Sequence, residues 1–179
     1  MLVQQTYHSP LGDMLLLGDE HALRGAWFKG QKYFMAGIDE PAVCASCDVL
    51  RQTAAWLDAY FAGKRPDPSA LSLDPHGTPF QRRIWTMLLQ IPDGQTTTYG
   101  RLAEEAAQRM KQERMSAQAV GGAVGHNEIS IIIPCHRVVG TNGSLTGYAG
   151  GIDKKRKLLE LEHTDMTGFF VPKKGTALF

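Results

Sequence analysis

Short apolar runs alternate with turn chemistry over the first thirty residues. In "LVQQTYHSPLGDMLLLGDEHALRGAWFKG" the runs are separated by Ser9-Pro10-Leu11-Gly12 and by Gly18-Asp19-Glu20. That pattern predicts a small antiparallel sheet. Residues 31–47 show no period and are read as irregular. From 49 to 63, Leu50, Thr53, Ala54, Leu57, Tyr60 and Phe61 recur at helical spacing, and Gly63 supplies a stop. The stretch "KRPDPSALSLDPHG" follows with three prolines and no periodicity, and it reads as the linker between two parts.

The second part opens on a helix start. Thr78 can cap, Pro79 takes the first helical position and Gln81 completes a capping box. Phe80, Ile84, Met87, Leu88 and Ile91 form the apolar face, and Pro92-Asp93-Gly94 ends the helix. A second helix, "YGRLAEEAAQRM", follows Thr97-Thr98, and a third, "SAQAVGGAVGHN", starts at Ser116. Two consecutive helices of this kind predict a helix-turn-helix. The third helix is nearly bare, with Ala117, Ala119, Gly121, Gly122 and Ala123 along it. Adjacent glycines inside a helix cost about 1 kcal/mol each relative to alanine. Two explanations stand open: tight packing against other helices, or the close approach of something large and rigid such as a DNA groove.

Composition narrows the class. The 179 residues are 43% hydrophobic and 21% charged, an ordinary globular balance. The first residues lack a basic stretch followed by an apolar one, so no signal peptide is expected, and no apolar run reaches the length of a membrane span. Three cysteines do not make a disulfide framework, and the expected setting is the reducing cytoplasm. Net charge is +1 but uneven. Residues 1–75 hold 6 Lys/Arg against 9 Asp/Glu, while residues 76–179 hold 13 against 9. The basic C-terminal part points toward a polyanion such as nucleic acid. Cys44 and Cys47 form a C-x-x-C, with His8, His21 and His76 within range in the sequence. A structural zinc site needs four ligands, and no second pair has the spacing, so no metal is expected.

The remaining chemistry lies in "ISIIIPCHRVVG", residues 129–140, where Cys135 sits between a proline and a histidine. Most buried free cysteines are inert. Here the company is different: "TPFQRRIW", Tyr99-Gly100-Arg101-Leu102-Ala103, "AVGGAVGHN", "IPCHRVVG" and "GYAGGIDKKRKLLELE" occur in that order. Together they resemble the O6-alkylguanine-DNA alkyltransferases (methylated-DNA–protein-cysteine methyltransferases) over residues 78–162, with a weaker likeness in "SPLG" and "WLDAYFAG".

The resemblance implies an α+β protein. A ribonuclease-H-like α/β domain with an antiparallel sheet would occupy residues 1–75 with the linker. A winged-helix-like, DNA-binding and alkyl-acceptor domain would occupy 76–179. The implied function is DNA repair by direct reversal, a single transfer of the alkyl group from O6-alkylguanine, and from O4-methylthymine, to Cys135. A displacement at saturated carbon wants a soft, charged nucleophile, which only a thiolate provides. His136, oriented by Glu162 as the resemblance assigns it, would activate the thiol through a water. Tyr99 would help rotate the nucleotide out and donate to the base, and Asn127 would tie the bare helix to the cysteine segment. Thr98, Gly100, Gln118, Ala119, Gly122, Arg137 and Thr141 would meet DNA, and Ser130, Val138, Tyr148, Ala149 and Gly150 would wall the pocket. A methyl thioether offers no leaving group to water, so one transfer per chain is expected, with no cofactor. The expected partner is double-stranded DNA containing O6-alkylguanine, with the protein a monomer and away from membranes. A replication-clamp contact through Leu178 and Phe179 is one reading of the tail, a frayed end the other.

Two rival functions carry less of the sequence. A protein that flags alkylated guanine for another pathway would lack the cysteine. A cysteine hydrolase would draw its histidine from elsewhere in the fold. The chain departs from the family pattern in two places. Gln118 stands where an arginine is usual, lacking its charge and planar face. The connection "AQRMKQERM" between the two helices is longer than usual, and Glu105 with Arg109 at i,i+4 predicts a longer first helix. Where some relatives carry N-terminal zinc ligands, this chain has Asp19 and Arg24.

Overall fold

The computed structural model describes residues 1–173, so the expected clamp contact through Leu178 and Phe179 lies outside the described residues. The chain divides into two compact units. The first comprises residues 1–77 together with 128–132, so the division is not a single cut of the chain.

In the first unit, β1 (Leu2–Ser9), β2 (Gly12–Gly18) and β3 (Leu23–Phe28) form the antiparallel meander that the apolar runs predict. The segment read as irregular adds a short strand, β4 (Ala42–Cys44), which pairs in parallel with β1 and gives the order β3-β2-β1-β4. The sheet is therefore mixed. A parallel neighbour needs a crossover of a dozen or so residues, and residues 29–41 provide it without any hydrophobic period to announce the strand. Helix α1 (Asp48–Phe61) buries Leu50, Thr53, Trp56, Leu57 and Tyr60.

The proline-rich stretch after α1 is not a loose linker. Leu23 N donates to Ser72 O at 2.8 Å and Asp74 N donates to Leu23 O at 2.9 Å, which lays the stretch alongside the start of β3. Arg24 pairs with Asp19 at 2.7 Å and also with Asp74. Segment 128–132 joins through Ala26, whose N–H donates to Glu128 O and whose carbonyl accepts from Ser130 N, both at 2.8 Å.

In the second unit, α2 (Pro79–Leu88) begins with the full capping box of Thr78 and Gln81. Trp85, absent from the expected apolar face, is buried, and its Nε1–H donates to Ala123 O at 2.8 Å. Strand β5 (Thr97–Thr98) leads into α3 (Tyr99–Arg109), capped by Thr98, and α4 (Ala117–Gly125) is capped by Ser116. The longer first helix predicted from Glu105 and Arg109 is not formed. Helix α3 stops at Arg109, whose guanidinium donates to Gln90 Oε1 at 2.8 Å, and residues 110–116 form a non-helical connection.

Tight packing accounts for the C-terminal half of the bare helix, and its start is left open to solvent. Val120, Gly121, Ala123, Val124 and Gly125 are buried by packing, while Ala117, Gln118 and Ala119 are exposed at its start. Strand β6 (Val138–Val139) pairs in parallel with β5, and α5 (Ile152–Leu161) closes the unit. Among the described residues no helix is long and apolar enough to cross a membrane.

Candidate active site

The cysteine sits in a short 3-10 turn, Cys135–Arg137, immediately before β6. All three side chains of that turn are buried, Cys135 at 5% exposure and His136 at 0%. Asn127, just past α4, donates from Nδ2 to Ile133 O at 2.8 Å and to Cys135 Sγ at 3.2 Å. One amide therefore ties the end of α4 to the approach to the cysteine and to the thiol itself. Burial pushes the Cys135 thiol up from its ordinary range, and the Asn127 bond and the charge of Lys155 oppose this without cancelling it.

Glu162 follows α5 and is 2% exposed. Its Oε1 lies 2.6 Å from His136 Nε2. Burial alone would raise this carboxyl, but the hydrogen bonds and charges of His136 and Arg137 outweigh it and hold it well below the usual carboxylate range. An ionised Glu162 can only accept, so the imidazole proton is placed on Nε2 and Nδ1 keeps its lone pair. That Nδ1 is buried with no hydrogen-bond partner among the described residues. Burial also lowers the His136 pKa, against the pull of Glu162, which favours the neutral ring with its Nδ1 unprotonated.

Arg137 corrects an expectation. Placed with the DNA contacts on sequence, it is 7% exposed and turned inward. Its Nε and Nη2 each donate to Glu162 at 2.9 Å, and Nη1 donates to Ile91 O at 2.7 Å. A planar fork matches a carboxylate in two bonds at once, so Arg137 fixes the carboxylate that fixes the histidine. The sequence pattern places Arg137 at the surface because its partners lie 25 and 46 positions away in the chain.

Lys155 was not anticipated at all. It is fully buried and donates from Nζ to Val138 O at 2.5 Å and Thr146 O at 2.7 Å, with Nζ 5.7 Å from the centre of the Tyr99 ring. Burial pulls its pKa down to about 7, partly offset by Cys135. A signal was present: Ile152, Lys155, Leu158, Leu159 and Glu162 form one helical stripe, but the run "DKKRK" reads as a solvated face.

The other expected residues distribute as follows. Tyr99 is buried, and its hydroxyl donates to the carbonyls of Thr146 and Gly147 at 3.2 and 3.1 Å. Tyr148 meets the His136 ring edge-on, centroids 6.5 Å apart. Val138 is buried, and Ala149 and Gly150 are half-buried just before α5. Thr141 is exposed beside Gly100, where a Cβ would stand 3.5 Å from Thr141 Oγ1. Thr98 is engaged as the α3 cap. Gly122 is half-buried and its carbonyl accepts from His126, so it is not part of the exposed start of α4. Ser130, expected in the pocket wall, belongs to the first unit, where its hydroxyl donates to Gln31 Oε1 at 3.2 Å. Cys44 is exposed, Cys47 donates to Asp19 O at 3.4 Å, and among the described residues no three His, Cys, Asp or Glu side chains gather as metal ligands.

Two family models match the chain. The 6-O-methylguanine DNA methyltransferase ribonuclease-like domain covers residues 2–75, and the DNA-binding domain of the same family covers 79–164. The chain belongs to the 6-O-methylguanine DNA methyltransferase family. Among its relatives is the methylated-DNA–protein-cysteine methyltransferase of Methanosarcina acetivorans, 42% identical over 87% of this chain and 95% of the relative. The Mycobacterium tuberculosis protein of the same name is 41% identical over 90% and 93%. The crystal structure of the M. tuberculosis protein in complex with DNA aligns with a TM-score of 0.75 at 40% identity, covering 89% of this chain and 91% of that one. The Methanococcus jannaschii O6-methylguanine DNA methyltransferase aligns with a TM-score of 0.58 at 26% identity. Membership accounts for the pairing of an N-terminal mixed sheet with a helical, DNA-binding C-terminal part.

Proposed function

We propose that this chain repairs alkylated DNA by direct reversal, as a methylated-DNA–protein-cysteine methyltransferase, moving the alkyl group from O6 of guanine, or O4 of methylthymine, to Cys135. The observation that carries the reading is the His136–Glu162 pair following a buried cysteine, with the second imidazole nitrogen left without a partner. His136 Nδ1 takes the thiol proton through a water. The sulfur then attacks the alkyl carbon, the S–C bond forms as the C–O6 bond breaks, and the electron pair passes into the departing guanine. Guanine regains a proton at its ring, which balances the one the thiol gave up. Lys155, in its protonated form, adds a positive charge that favours the thiolate, and Asn127 donates to the sulfur.

A stacked base cannot reach a buried thiol, so the nucleotide is extruded before reaction. Thr98, Gly100, Gln118, Ala119 and Thr141 supply the surface for double-stranded DNA, and Tyr99, Val138, Tyr148, Ala149 and Gly150 the walls around the base. Every group in this sequence of steps comes from one chain, which suits a monomer, and a free thiol suits the cytoplasm. The thioether cannot be hydrolysed, so each chain acts once and needs no cofactor.

The test is the mass of the protein after incubation with duplex DNA containing O6-methylguanine. Gain of one methyl group on Cys135 is expected, and none in Cys135→Ser, which should still bind the duplex. Repeated turnover, or label on Cys44 or Cys47, would refute the reading.

A further inference from the structure

Seven residues, 110–116, join α3 to α4, where a helix-turn-helix needs about three or four. The connection leaves α3 through a turn in which Lys111 N donates to Gln108 O and Gln112 N to Ala107 O. Lys111 takes the left-handed position of that turn, φ 53°, where glycine is the default because a side chain crowds the backbone. A cation is thus held where the backbone favours no side chain. Lys111 is exposed, and no partner for its ammonium exists among the described residues.

Arg114 is the second free cation, exposed and without a counter-ion among the described residues. With Met115 it lines a groove of about 400 Å³ together with Gly100, Ala103 and Ala107 of α3 and Ala117 of α4. Arg114 therefore shares a groove with Gly100 at the start of α3 and with Ala117, the neighbour of Gln118, at the start of α4. Glu104 and Glu113 also line the groove, which disfavours an anion inside it, while the exposed Lys111 lies outside its lining. Duplex DNA is the anion that pays out most for such unpaired cations, because each neutralised phosphate releases condensed counter-ions.

We propose that the α3–α4 connection is a second grip on the DNA backbone, Lys111 and Arg114 each neutralising a phosphate and supplying the charge that Gln118 lacks. Phosphate contacts of this kind fix register and carry no sequence preference. The proposal rests on the reading that the starts of α3 and α4 face DNA.

The experiment is the salt dependence of binding to an undamaged duplex. Lys111→Gln and Arg114→Gln should each flatten the plot of log affinity against log salt by about 0.9, and the double variant by about 1.8. Lys111→Gly separates this from a structural role: relief of the left-handed strain should raise the thermal midpoint by about 2–4 °C, while the slope still flattens. Arg83→Gln, on α2 in a different groove with Arg109 and Met110, should leave the slope unchanged. An unchanged slope in the double variant, or an equal flattening in Arg83→Gln, overturns the proposal. Gln118→Glu tells which reading fails. If it weakens duplex binding while the double variant keeps the wild-type slope, only the grip is wrong; if neither changes binding, the DNA-facing assignment falls with it.

Discussion

Removing the titration of Glu128 should change how stability depends on pH. The side chain is 4% exposed, and its Oε2 accepts from Trp27 Nε1 at 2.8 Å, with Trp27 itself fully buried. Burial pushes the carboxyl up to about 7 from its ordinary value of 4.5, although the Trp27 bond pulls the other way. Between those two values the folded protein keeps a proton that the unfolded chain has released. Stability from this group is therefore fully present below about pH 4.5 and is lost as pH rises through about 7. The gap of about 2.5 pH units, at 1.36 kcal/mol each, amounts to about 3 kcal/mol. Glu128→Gln keeps a carbonyl acceptor for Trp27 and adds an amide donor, whose burial costs about 1–3 kcal/mol at every pH. The constant offset does not matter, because the slope is the diagnostic. Urea unfolding of both proteins from about pH 5 to about pH 8 should show the wild type losing about 2–3 kcal/mol relative to the variant over that range. The contributions of buried His136 and Lys155 are common to both proteins and cancel in the difference. Parallel curves would mean that Glu128 is ionised in the folded state and that the burial argument is wrong.

Two further outcomes follow from the site. Arg137→Met should destabilise the protein by about 3 kcal/mol or more, because it strands a buried carboxylate, while the salt slope of duplex binding stays at the wild-type value; a flatter slope would restore Arg137 as a phosphate contact. His136→Ala and Glu162→Gln should each slow alkyl transfer, and the double variant should be little slower than either, as for groups acting as a unit. Single-turnover rates that multiply in the double variant would break the proposed relay.

Local rules settled much of this protein. The Thr78-Pro79-Gln81 box and the caps at Thr98 and Ser116 place three helix starts from neighbouring residues alone, and the alternation around Ser9–Gly12 is enough for the meander. The order of motifs around Cys135 carried the family and with it the histidine–glutamate pair. What stayed hidden depends on partners distant in the chain. Strand β4 has no period of its own and exists because β1 offers it an edge. The prolines after α1 looked like a linker, yet Leu23 and Arg24 hold that stretch as part of the sheet. Residues 128–132 lie between α4 and the cysteine in the sequence, and only the tertiary structure assigns them to the first unit. Charge was the least legible property. Arg137 carries no mark in the sequence of its inward turn, and Lys155 only its place on an apolar helical stripe, within a run of cations that includes the exposed Arg156 and Lys157. A long flexible side chain turns inward when a carboxylate or a set of carbonyls waits there to replace its water, and those acceptors are assembled only when Ile91, Val138, Thr146 and Glu162 come together.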